Sequence, residues 1–349
     1  MTNATVDGID IPRVTEWLQD AVPGFAAPLE FELIAGGRSN LTYRVTDAND
    51  AAVVLRRPPL GHVLATAHDM SREYRIISAL GDGDVPVAPA VGLCTDEAVN
   101  GAPFYVMQFV EGTVVRDRTV AETLTPEQRH AAGMSLVEVL ARIHGTDPDA
   151  VGLGDLGRRE GYIERQLKRW HQQWEQSAYT DITSIDDVHK RLAADIPVQG
   201  SAAIVHGDYR LDNCMLDDDG SIAAVLDWEL CTLGDPLADV GLLLVYWTDP
   251  GDEFTALPDA ATALDGFPRK ADLLARYAER SGRDVSDVSF YVAFGYWKLA
   301  CILAGVATRY AAGVMGGDDG QSAAAAELFA AQVRLLADSA AKAADRAGR

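Results

Sequence analysis

Short hydrophobic runs separated by turn residues dominate the first 110 residues. The runs are rich in β-branched and aromatic residues and are bounded by Gly, Asn and Asp, a pattern typical of strands. One longer segment, Ala67–Leu80, has the periodicity of a helix. The pattern predicts a small sheet carrying one helix, preceded by a short amphipathic helix over residues 9–20. The predicted strands are Leu29–Ile34, Leu41–Thr46, Ala52–Arg56, Ala90–Cys94 and Phe104–Phe109.

From about Thr125 the hydrophobic positions follow long helical patterns instead. A β segment interrupts them, and its Asp217-Asp-Asp-Gly220 stretch between two apolar runs predicts a hairpin turn. We therefore predict an α+β protein with one domain over residues 1–110 and a mostly helical domain over 111–349. The predicted helices are Pro126–His144, Arg158–Trp174, Ile185–Asp195, Leu237–Tyr246, Lys270–Ser281, Val288–Ala311 and one from Gln321, and the predicted strands are Ala202–Val205, Cys214–Leu216 and Ile222–Asp227.

Composition narrows the classes of function. The chain has 349 residues and a net charge of −22, which argues against a nucleic-acid partner, because such a partner requires a basic face. Its four cysteines form no CxxC pair, which argues against a zinc site or a disulfide framework. The amino terminus has no basic and apolar leader, and the longest apolar run, near Val240–Trp247, is too short to span a bilayer. We expect a cytoplasmic protein with no membrane partner; its oligomeric state is left open.

The residues that could carry out a reaction follow the apolar strand that ends at Val205. His206-Gly207-Asp208 follows it, Asn213 lies five positions after Asp208, and Asp227 lies nineteen after it. Phosphoryl transfer requires a carboxylate near the attacking hydroxyl and oxygen ligands for Mg²⁺. An Asp-x4-Asn loop supplies the base and one ligand, and a hairpin returning Asp227 supplies the second. The alternative is a polar β-hairpin whose Asp and Asn side chains only cap turns.

The segments HGDYRLDN and VLDWELCTLGDPLADVG resemble the catalytic core of the aminoglycoside phosphotransferase-like kinases. The resemblance implies a two-lobed, protein-kinase-like fold, with a small antiparallel-sheet lobe and a larger helical lobe. It implies ATP and Mg²⁺ as cofactors, Asp208 as catalytic base, and Asn213 and Asp227 as metal ligands. It also implies that Asp239 braces the catalytic loop. We expect His206 to be a structural anchor whose ring bonds nearby backbone.

The first domain should then bind the nucleotide. Glycines between two strands allow a loop to approach phosphates, although a Gly-Gly hairpin is common without such a role. Residues 1–167 contain no lysine, so a strand cation that meets the phosphates would be Arg56 or Arg57, of which Arg56 aligns with the kinase motif. Glu73 would pair with Arg56; an exposed helix carboxylate is the alternative for Glu73. The predicted nucleotide-binding residues are Gly36, Gly37, Ser39, Asn40, Val54, Arg56, Glu73, and the interlobe hinge residues Met107, Gln108, Phe109 and Val110.

The segments GGRSNLTY, VVLRRPP, SREYRIISAL and FYVMQFVEG are most similar to one branch of this family. It is the branch seen as the kinase domain of acyl-CoA dehydrogenase family members ten and eleven, and the similarity runs from about Leu33 to Tyr310. The branch implies a hydroxyacyl-CoA or hydroxy acid as the small-molecule acceptor. Arg210, Lys298 and Arg309 are candidates for contacting it; a salt bridge within the loop is the alternative for Arg210.

Two other functions stay open. The missing lysine is compatible with a nucleotide-binding pseudokinase or regulatory module, although the base and both metal ligands are present. The wider family also includes antibiotic phosphotransferases that act on aminoglycosides or macrolides.

Overall fold

The computed structural model describes residues 6–35, 40–60, 69–179, 181–256, 260–313 and 319–347. They form two units: Met1–Thr113 with Ala223–Glu229, and Val114–Ile222 with Leu230–Arg349. The domain boundary at residue 110 stays a prediction.

The secondary structure agrees with most of the predicted elements. In chain order these are α1 (Ile11–Ala21), β1 (Glu30–Ala35), β2 (Leu41–Thr46), β3 (Ala52–Arg57), α2 (Met70–Gly81), β4 (Ala90–Cys94), α3 (Glu97–Asn100), β5 (Phe104–Gln108), β6 (Thr113–Val114), α4 (Arg118–Thr123), α5 (Pro126–Gly145), α6 (Tyr162–Glu175), α7 (Thr183–Ala194), β7 (Ala203–Val205), β8 (Cys214–Leu216), β9 (Ile222–Val225), β10 (Thr232–Gly234), α8 (Pro236–Tyr246), α9 (Lys270–Ser281), α10 (Val288–Ala311) and α11 (Asp319–Ala347).

The first unit is built on a five-stranded antiparallel sheet with strand order β1-β2-β3-β5-β4. Helix α1 begins after the capping side chain of Asp10 and buries Val14 and Leu18 in the core that the sheet forms with it. Trp17 packs edge-on against Phe104 of β5, with the ring centroids 4.9 Å apart. Because β3 is the middle strand, its residues have neighbours on both sides.

Helix α2 also belongs to this unit. Asp69 caps it, and its buried positions include Ile76, Ile77 and Leu80. Glu73 lies on the same buried face and is 2% exposed. A carboxylate in that position requires partners, because burying an unpaired charge is costly.

The second unit is organised around α10, which packs against α6, α7, α8 and α11. Helix α8 begins at Asp235, whose side chain accepts from the Leu237 amide at 3.1 Å and from the Tyr291 hydroxyl at 2.6 Å. The two helices approach closely, since a Cβ on Gly241 would overlap the backbone of Tyr291. This approach fixes α10 beside the segment that follows β10.

The expectation that the longest apolar run is near Val240–Trp247 was wrong. Within the described residues, α10 is long and apolar enough to cross a membrane by length and composition, with 67% of its most apolar window buried inside the protein. That burial is typical of a central core helix, and one such helix is weak support for a membrane span.

Three other predictions differ from the structure. Helix α6 begins at Tyr162 instead of Arg158, because Gly161 has a positive φ of 64° that interrupts a helix. Strand β9 ends at Val225 instead of Asp227, because Asp227 has a left-handed φ of 61°. The short elements α3, α4, β6 and β10 were not predicted, since runs of two to six residues carry little periodicity.

Replacing Gly241 with alanine is expected to lower the free energy of unfolding by about 1–3 kcal/mol, because the added methyl group must displace the backbone of α10. Gly305→Ala is the matched control in α10. Its methyl group would meet the ends of two flexible side chains, those of Gln173 and Arg309, so the change should stay within about 1 kcal/mol. Urea unfolding monitored by tryptophan fluorescence measures both. Equal effects in the two variants would contradict the close approach.

Candidate active site

The predicted catalytic loop, residues 206–213 of the second unit and called the catalytic loop below, leaves β7 at Val205 and turns at His206-Gly207-Asp208. Gly207 has a φ of 88°, and a Cβ there would lie 2.9 Å from the carbonyl oxygen of Leu230. A residue with a side chain would be strained in this conformation and would clash with that backbone. The turn therefore requires glycine, and it places Asp208 directly after a buried strand.

Asp239, in the first turn of α8, holds this turn. Its carboxylate accepts from the His206 amide at 2.7 Å and from the Gly207 amide at 2.9 Å. It also lies 3.3 Å from Nε2 of His144. Burial alone would raise the pKa of Asp239, but the contacts with His144, His206 and Gly207 outweigh burial and hold the pKa below its ordinary value. Its contacts agree with the expected bracing role.

His144 links Asp239 to the helical core. Burial lowers the pKa of this imidazole, which favours its neutral form. Its Nδ1 lies 2.8 Å from the Tyr277 hydroxyl. Because Asp239 accepts at Nε2, that nitrogen carries the proton and the Tyr277 hydroxyl donates to Nδ1.

Asp208 is held on the loop by two neighbouring side chains. Asn213 Nδ2 donates to the Asp208 carbonyl at 2.9 Å and to Asp208 Oδ2 at 3.1 Å. Arg210 Nε lies 3.4 Å from the same Oδ2 and 3.1 Å from Oδ1 of Asp212. The Asp208 side chain stays 25% exposed. The salt bridge expected as the alternative for Arg210 is therefore present, beside the carboxylate assigned as the base.

The Asp208 amide donates to Nδ1 of His206 at 3.3 Å, which confirms that the His206 ring bonds nearby backbone.

Tyr246, at the end of α8, also faces the loop. Its ring lies 5.0 Å from the guanidinium carbon of Arg210, and burial beside Asp208 raises the pKa of its hydroxyl. Tyr246 was not predicted, because an aromatic residue at a helix end carries no signal that it contacts Arg210, 36 positions earlier.

A cavity of about 230 Å³ lies beside Arg210. Its wall is largely apolar, with Leu211, Leu243 and Tyr246 among the lining residues, and Thr262 supplies a hydroxyl that bonds the Thr248 backbone. Two arginines, Arg116 and Arg210, line it together with Asp117 and Asp212. Asp117 caps α4 by accepting from Val120, and Asp212 pairs with Arg210. Among the described residues, the exposed Arg116 side chain makes no ion pair.

In the first unit, Arg56 is surrounded by other predicted site residues. The Arg56 side chain, 12% exposed, lies with Nε 3.0 Å from Glu73 Oε2 and with Nη2 2.5 Å from Asp227 Oδ1. Burial would lower the pKa of Arg56, but Glu73, Tyr105 and Asp227 raise it above the ordinary value. The structure thus brings together Arg56, Glu73 and Asp227, and Glu73 is a buried partner rather than an exposed helix carboxylate.

Two further side chains complete the surroundings of Glu73. Asn40 Nδ2 donates to Glu73 Oε1 at 2.7 Å, and the Tyr105 hydroxyl donates to Oε2 at 3.0 Å. Burial raises the pKa of Glu73 in spite of Arg56 and these hydrogen bonds. Tyr105 was not predicted. Its place opposite Arg56 follows from the pairing of β3 with β5, which no local pattern in the sequence indicates.

Asp227 is in the left-handed region with a φ of 61°, which is uncommon for a residue with a side chain and recurs at functional sites. One of its carboxylate oxygens accepts from Arg56. Asn213 likewise commits its amide nitrogen to Asp208. Each residue therefore keeps an oxygen that can bind a metal, and oxygen is what Mg²⁺ prefers. Within the described residues, no three His, Cys, Asp or Glu side chains form a metal cluster.

The other predicted residues are placed as follows. Val54 is buried and pairs with Met107 across β3 and β5. Gln108 ends β5, and its amide donates to the Pro89 carbonyl at 2.8 Å. Phe109 follows, with the Arg44 guanidinium 4.5 Å from its ring centroid, and Val110 comes next in the chain. Gly36, Gly37 and Ser39 lie outside the described residues.

The structure separates the two acceptor candidates on α10. Lys298 is buried and its Nζ donates to the Gly207 carbonyl at 3.1 Å, so it contacts the catalytic loop. Arg309 is exposed in the last turn of α10, roughly 16 Å further along the helix axis. Of the two, Lys298 is the one in contact with the catalytic loop.

Comparison with known proteins identifies the family. A model of the phosphotransferase enzyme family matches residues 30–280. Acyl-CoA dehydrogenase family member 10 of Mus musculus is 35% identical over 286 residues, which cover 81% of this chain and 27% of that protein. Family member 11 of Gallus gallus is 33% identical over 340 residues, which cover 94% of this chain and 43% of that protein. The chain spans less than half the length of these curated relatives.

Solved structures show the same fold. A Ralstonia eutropha protein described as an aminoglycoside phosphotransferase is 35% identical to this chain. Its TM-score is 0.81, over 97% of this chain and 98% of that one. A spectinomycin phosphotransferase in complex with ADP and spectinomycin is 14% identical with a TM-score of 0.61, over 95% of this chain and 98% of that one, and shows the fold alone. These matches confirm the predicted α+β, protein-kinase-like fold class and the predicted branch. The chain belongs to the phosphotransferase enzyme family.

Proposed function

We propose that this chain transfers the γ-phosphate of ATP to a hydroxyl of a small molecule, either a hydroxy acid or a hydroxyacyl-CoA. Asp208 is the proposed base. Phosphate transfer is the reaction class of the family. The observation that carries the proposal is the position of Asp208. Its carboxylate is partly exposed, fixed by Asn213 and Arg210, and Arg210 also lines a cavity large enough for part of a small molecule.

In the proposed reaction, Asp208 orients the acceptor hydroxyl and accepts its proton. The hydroxyl oxygen forms a bond to the γ-phosphorus while the bond from that phosphorus to the bridging oxygen breaks, and ADP leaves. Little covalent work falls to the protein in such a step, so positioning and charge neutralisation carry most of the rate. The bonds from Asn213 to the backbone and the side chain of Asp208 restrict the carboxylate to one orientation.

Arg56 is the proposed contact for the α- and β-phosphates, held in place by Glu73. Asn40 bonds Glu73 from the end of the predicted phosphate loop, whose residues Gly36, Gly37 and Ser39 we propose to cover the phosphates. Arginine differs from lysine here because its planar fork reaches two carboxylates at once. The adenine would lie against Val54, with the backbone of residues 107–110 reading its edge.

The oxygens of Asn213 and Asp227 fit Mg²⁺, and we propose that both residues hold it. Bound with ATP, Mg²⁺ would neutralise charge on the phosphate oxygens. Because Arg56 pairs with one oxygen of Asp227, the other oxygen is the proposed ligand. The small number of protein ligands is compatible with Mg²⁺, which retains waters and phosphate oxygens in its coordination shell.

The charges around the cavity favour an anionic acceptor. Asp117 and Asp212 are committed to a helix cap and to Arg210, whereas Arg116 makes no ion pair among the described residues. A carboxylate, the phosphate groups of a coenzyme A thioester, or another anionic group would pair with Arg116. The apolar wall would contact a carbon chain. A polycationic aminoglycoside would find an uncompensated guanidinium there instead.

A screen with γ-labelled ATP tests this proposal directly. Purified chain, Mg²⁺ and labelled ATP are incubated with hydroxy acids, hydroxyacyl-CoAs, amino alcohols, aminoglycosides and macrolides, and labelled products are separated by chromatography. Label in a hydroxy acid or hydroxyacyl-CoA is the expected result. Label only in an antibiotic, together with raised resistance in cells that express the chain, would assign the alternative function.

The second candidate, a nucleotide-binding regulatory module, is favoured by one observation. Arg56 pairs with Asp227, so a predicted metal ligand is engaged by the cation that replaces the usual lysine. Such a module would bind the nucleotide with little dependence on Mg²⁺, and it would label no acceptor in the screen.

Asp227→Asn is expected to lower turnover by about 10²–10³-fold, because the amide removes a charged ligand near the transferred phosphate. Turnover by the variant should also require more Mg²⁺ than the wild type does. Asp217→Asn, an exposed turn carboxylate in β8–β9, is the control and should match the wild type. Steady-state rates across a Mg²⁺ titration measure both. An Asp227→Asn enzyme with wild-type turnover and Mg²⁺ dependence would assign the metal elsewhere.

Arg116→Gln is expected to raise KM for the anionic acceptor about tenfold, which corresponds to the loss of one charge-assisted hydrogen bond of about 1.4 kcal/mol. KM for ATP should not change. The matched control is Arg118→Gln, whose side chain pairs with Glu122 along α4 and does not line the cavity. If both variants keep the wild-type KM for the acceptor, this cavity is not where the acceptor anion binds.

A further inference from the structure

Lys298 lies in the middle of α10 and is 8% exposed. Its Nζ donates to the Gly207 carbonyl at 3.1 Å and lies 5.9 Å from the ring centroid of Trp170. Among the described residues, no carboxylate lies within ion-pair distance of this ammonium. A buried lysine that lacks a paired carboxylate costs folding free energy, and an apolar side chain of the same length would pack without that cost.

Several charges act on Lys298 from neighbouring elements. Burial lowers its pKa, while Asp208 on the catalytic loop and Asp239 on α8 raise it, and Arg169 on α6 lowers it further. The two carboxylates that favour the ammonium are therefore the proposed base and the residue that holds its loop. Stability alone gives no reason for a charge at this position, whereas the hydrogen bond to the Gly207 carbonyl places the ammonium against the loop that carries Asp208.

The peptide group between Gly207 and Asp208 has a partner on each side. Its carbonyl accepts from Lys298, and its amide donates to Nδ1 of His206. Asp239 holds the two preceding amides, those of His206 and Gly207. Because this peptide group leads directly to the Cα of Asp208, a rotation of it would displace the carboxylate.

We propose that Lys298 is a positioning residue for phosphate transfer: it fixes the carbonyl that precedes Asp208, and with it the peptide group that leads to the Asp208 carboxylate. This rests on the proposed function, which takes Asp208 as the base. Lys298 then acts through the loop rather than by contact with the acceptor, for which the sequence had made it a candidate.

Lys298→Met is the variant that tests the proposal, because methionine is close in length and carries neither donor nor charge. We expect kcat to fall on the order of 10- to 100-fold, since a small displacement of a catalytic group has that effect. KM for ATP should stay within about twofold, because the residues assigned to the nucleotide are unchanged. The urea midpoint should stay equal or rise. Leu299→Met, a buried neighbour on α10, is the control and should keep the wild-type kcat.

A kcat within about twofold of the wild type would overturn the proposal, as would a loss of kcat that follows an equal loss of folded protein. If Lys298→Met does not fold, Lys298→Leu takes its place, because leucine also lacks a donor for the Gly207 carbonyl. A folded Lys298→Leu with a reduced kcat supports the proposal, and one with the wild-type kcat overturns it.

Amide hydrogen exchange separates this proposal from the proposed function. In Lys298→Met the peptide spanning residues 206–213 should exchange severalfold faster than in the wild type, whether or not an acceptor is known. Unchanged exchange there would overturn the role of Lys298 even if the acceptor screen succeeds. Faster exchange in a chain whose wild type labels no acceptor would support the contact and contradict the proposed function alone.

Discussion

The buried carboxylate of Asp239 is the group on which the catalytic loop depends. A charge in the core requires donors, and this one has the amides of His206 and Gly207 and a proton on His144. His144 is itself fixed by Tyr277, so the arrangement extends from α9 through α5 and α8 to the loop. Gly207 is required because the turn has a positive φ and lies against the Leu230 carbonyl. Asp208 is thus held by bonds made to the peptide groups before it, while its own carboxylate stays partly exposed.

The first unit also contains buried charged groups that require partners. Glu73 is buried and receives bonds from Asn40 and Tyr105 as well as the contact with Arg56. Arg56 extends from the middle strand of the sheet and also reaches Asp227, which follows β9 in a left-handed conformation. A point-like ammonium could not present two edges in this way, so the arginine is suited to hold both carboxylates. On our proposal, phosphates and Mg²⁺ would share these partners during the reaction.

Residues close in sequence, or in regular register, were predictable from the sequence. Most strands and long helices agree with the hydrophobic pattern, and His206 bonds backbone as expected. Contacts that depend on tertiary packing were not predictable: Tyr105 faces Glu73 only because β3 and β5 pair, and Lys298 reaches Gly207 only because α10 is central. The predicted end of β9 was also wrong, because the hydrophobic pattern does not indicate the left-handed conformation of Asp227. The roles of Asp208, Asn213 and Asp227 in the reaction stay proposals.

In the proposed reaction Asp208 is the base, while other residues bind the nucleotide. Asp208→Asn can be compared with the wild type in MgATP binding by calorimetry and in single-turnover transfer of labelled phosphate. Transfer should fall by about 10²–10⁴-fold, the usual contribution of a general base, while the dissociation constant for MgATP stays unchanged. Transfer at the wild-type rate, or a loss of MgATP binding as large as the loss of transfer, would contradict this role of Asp208.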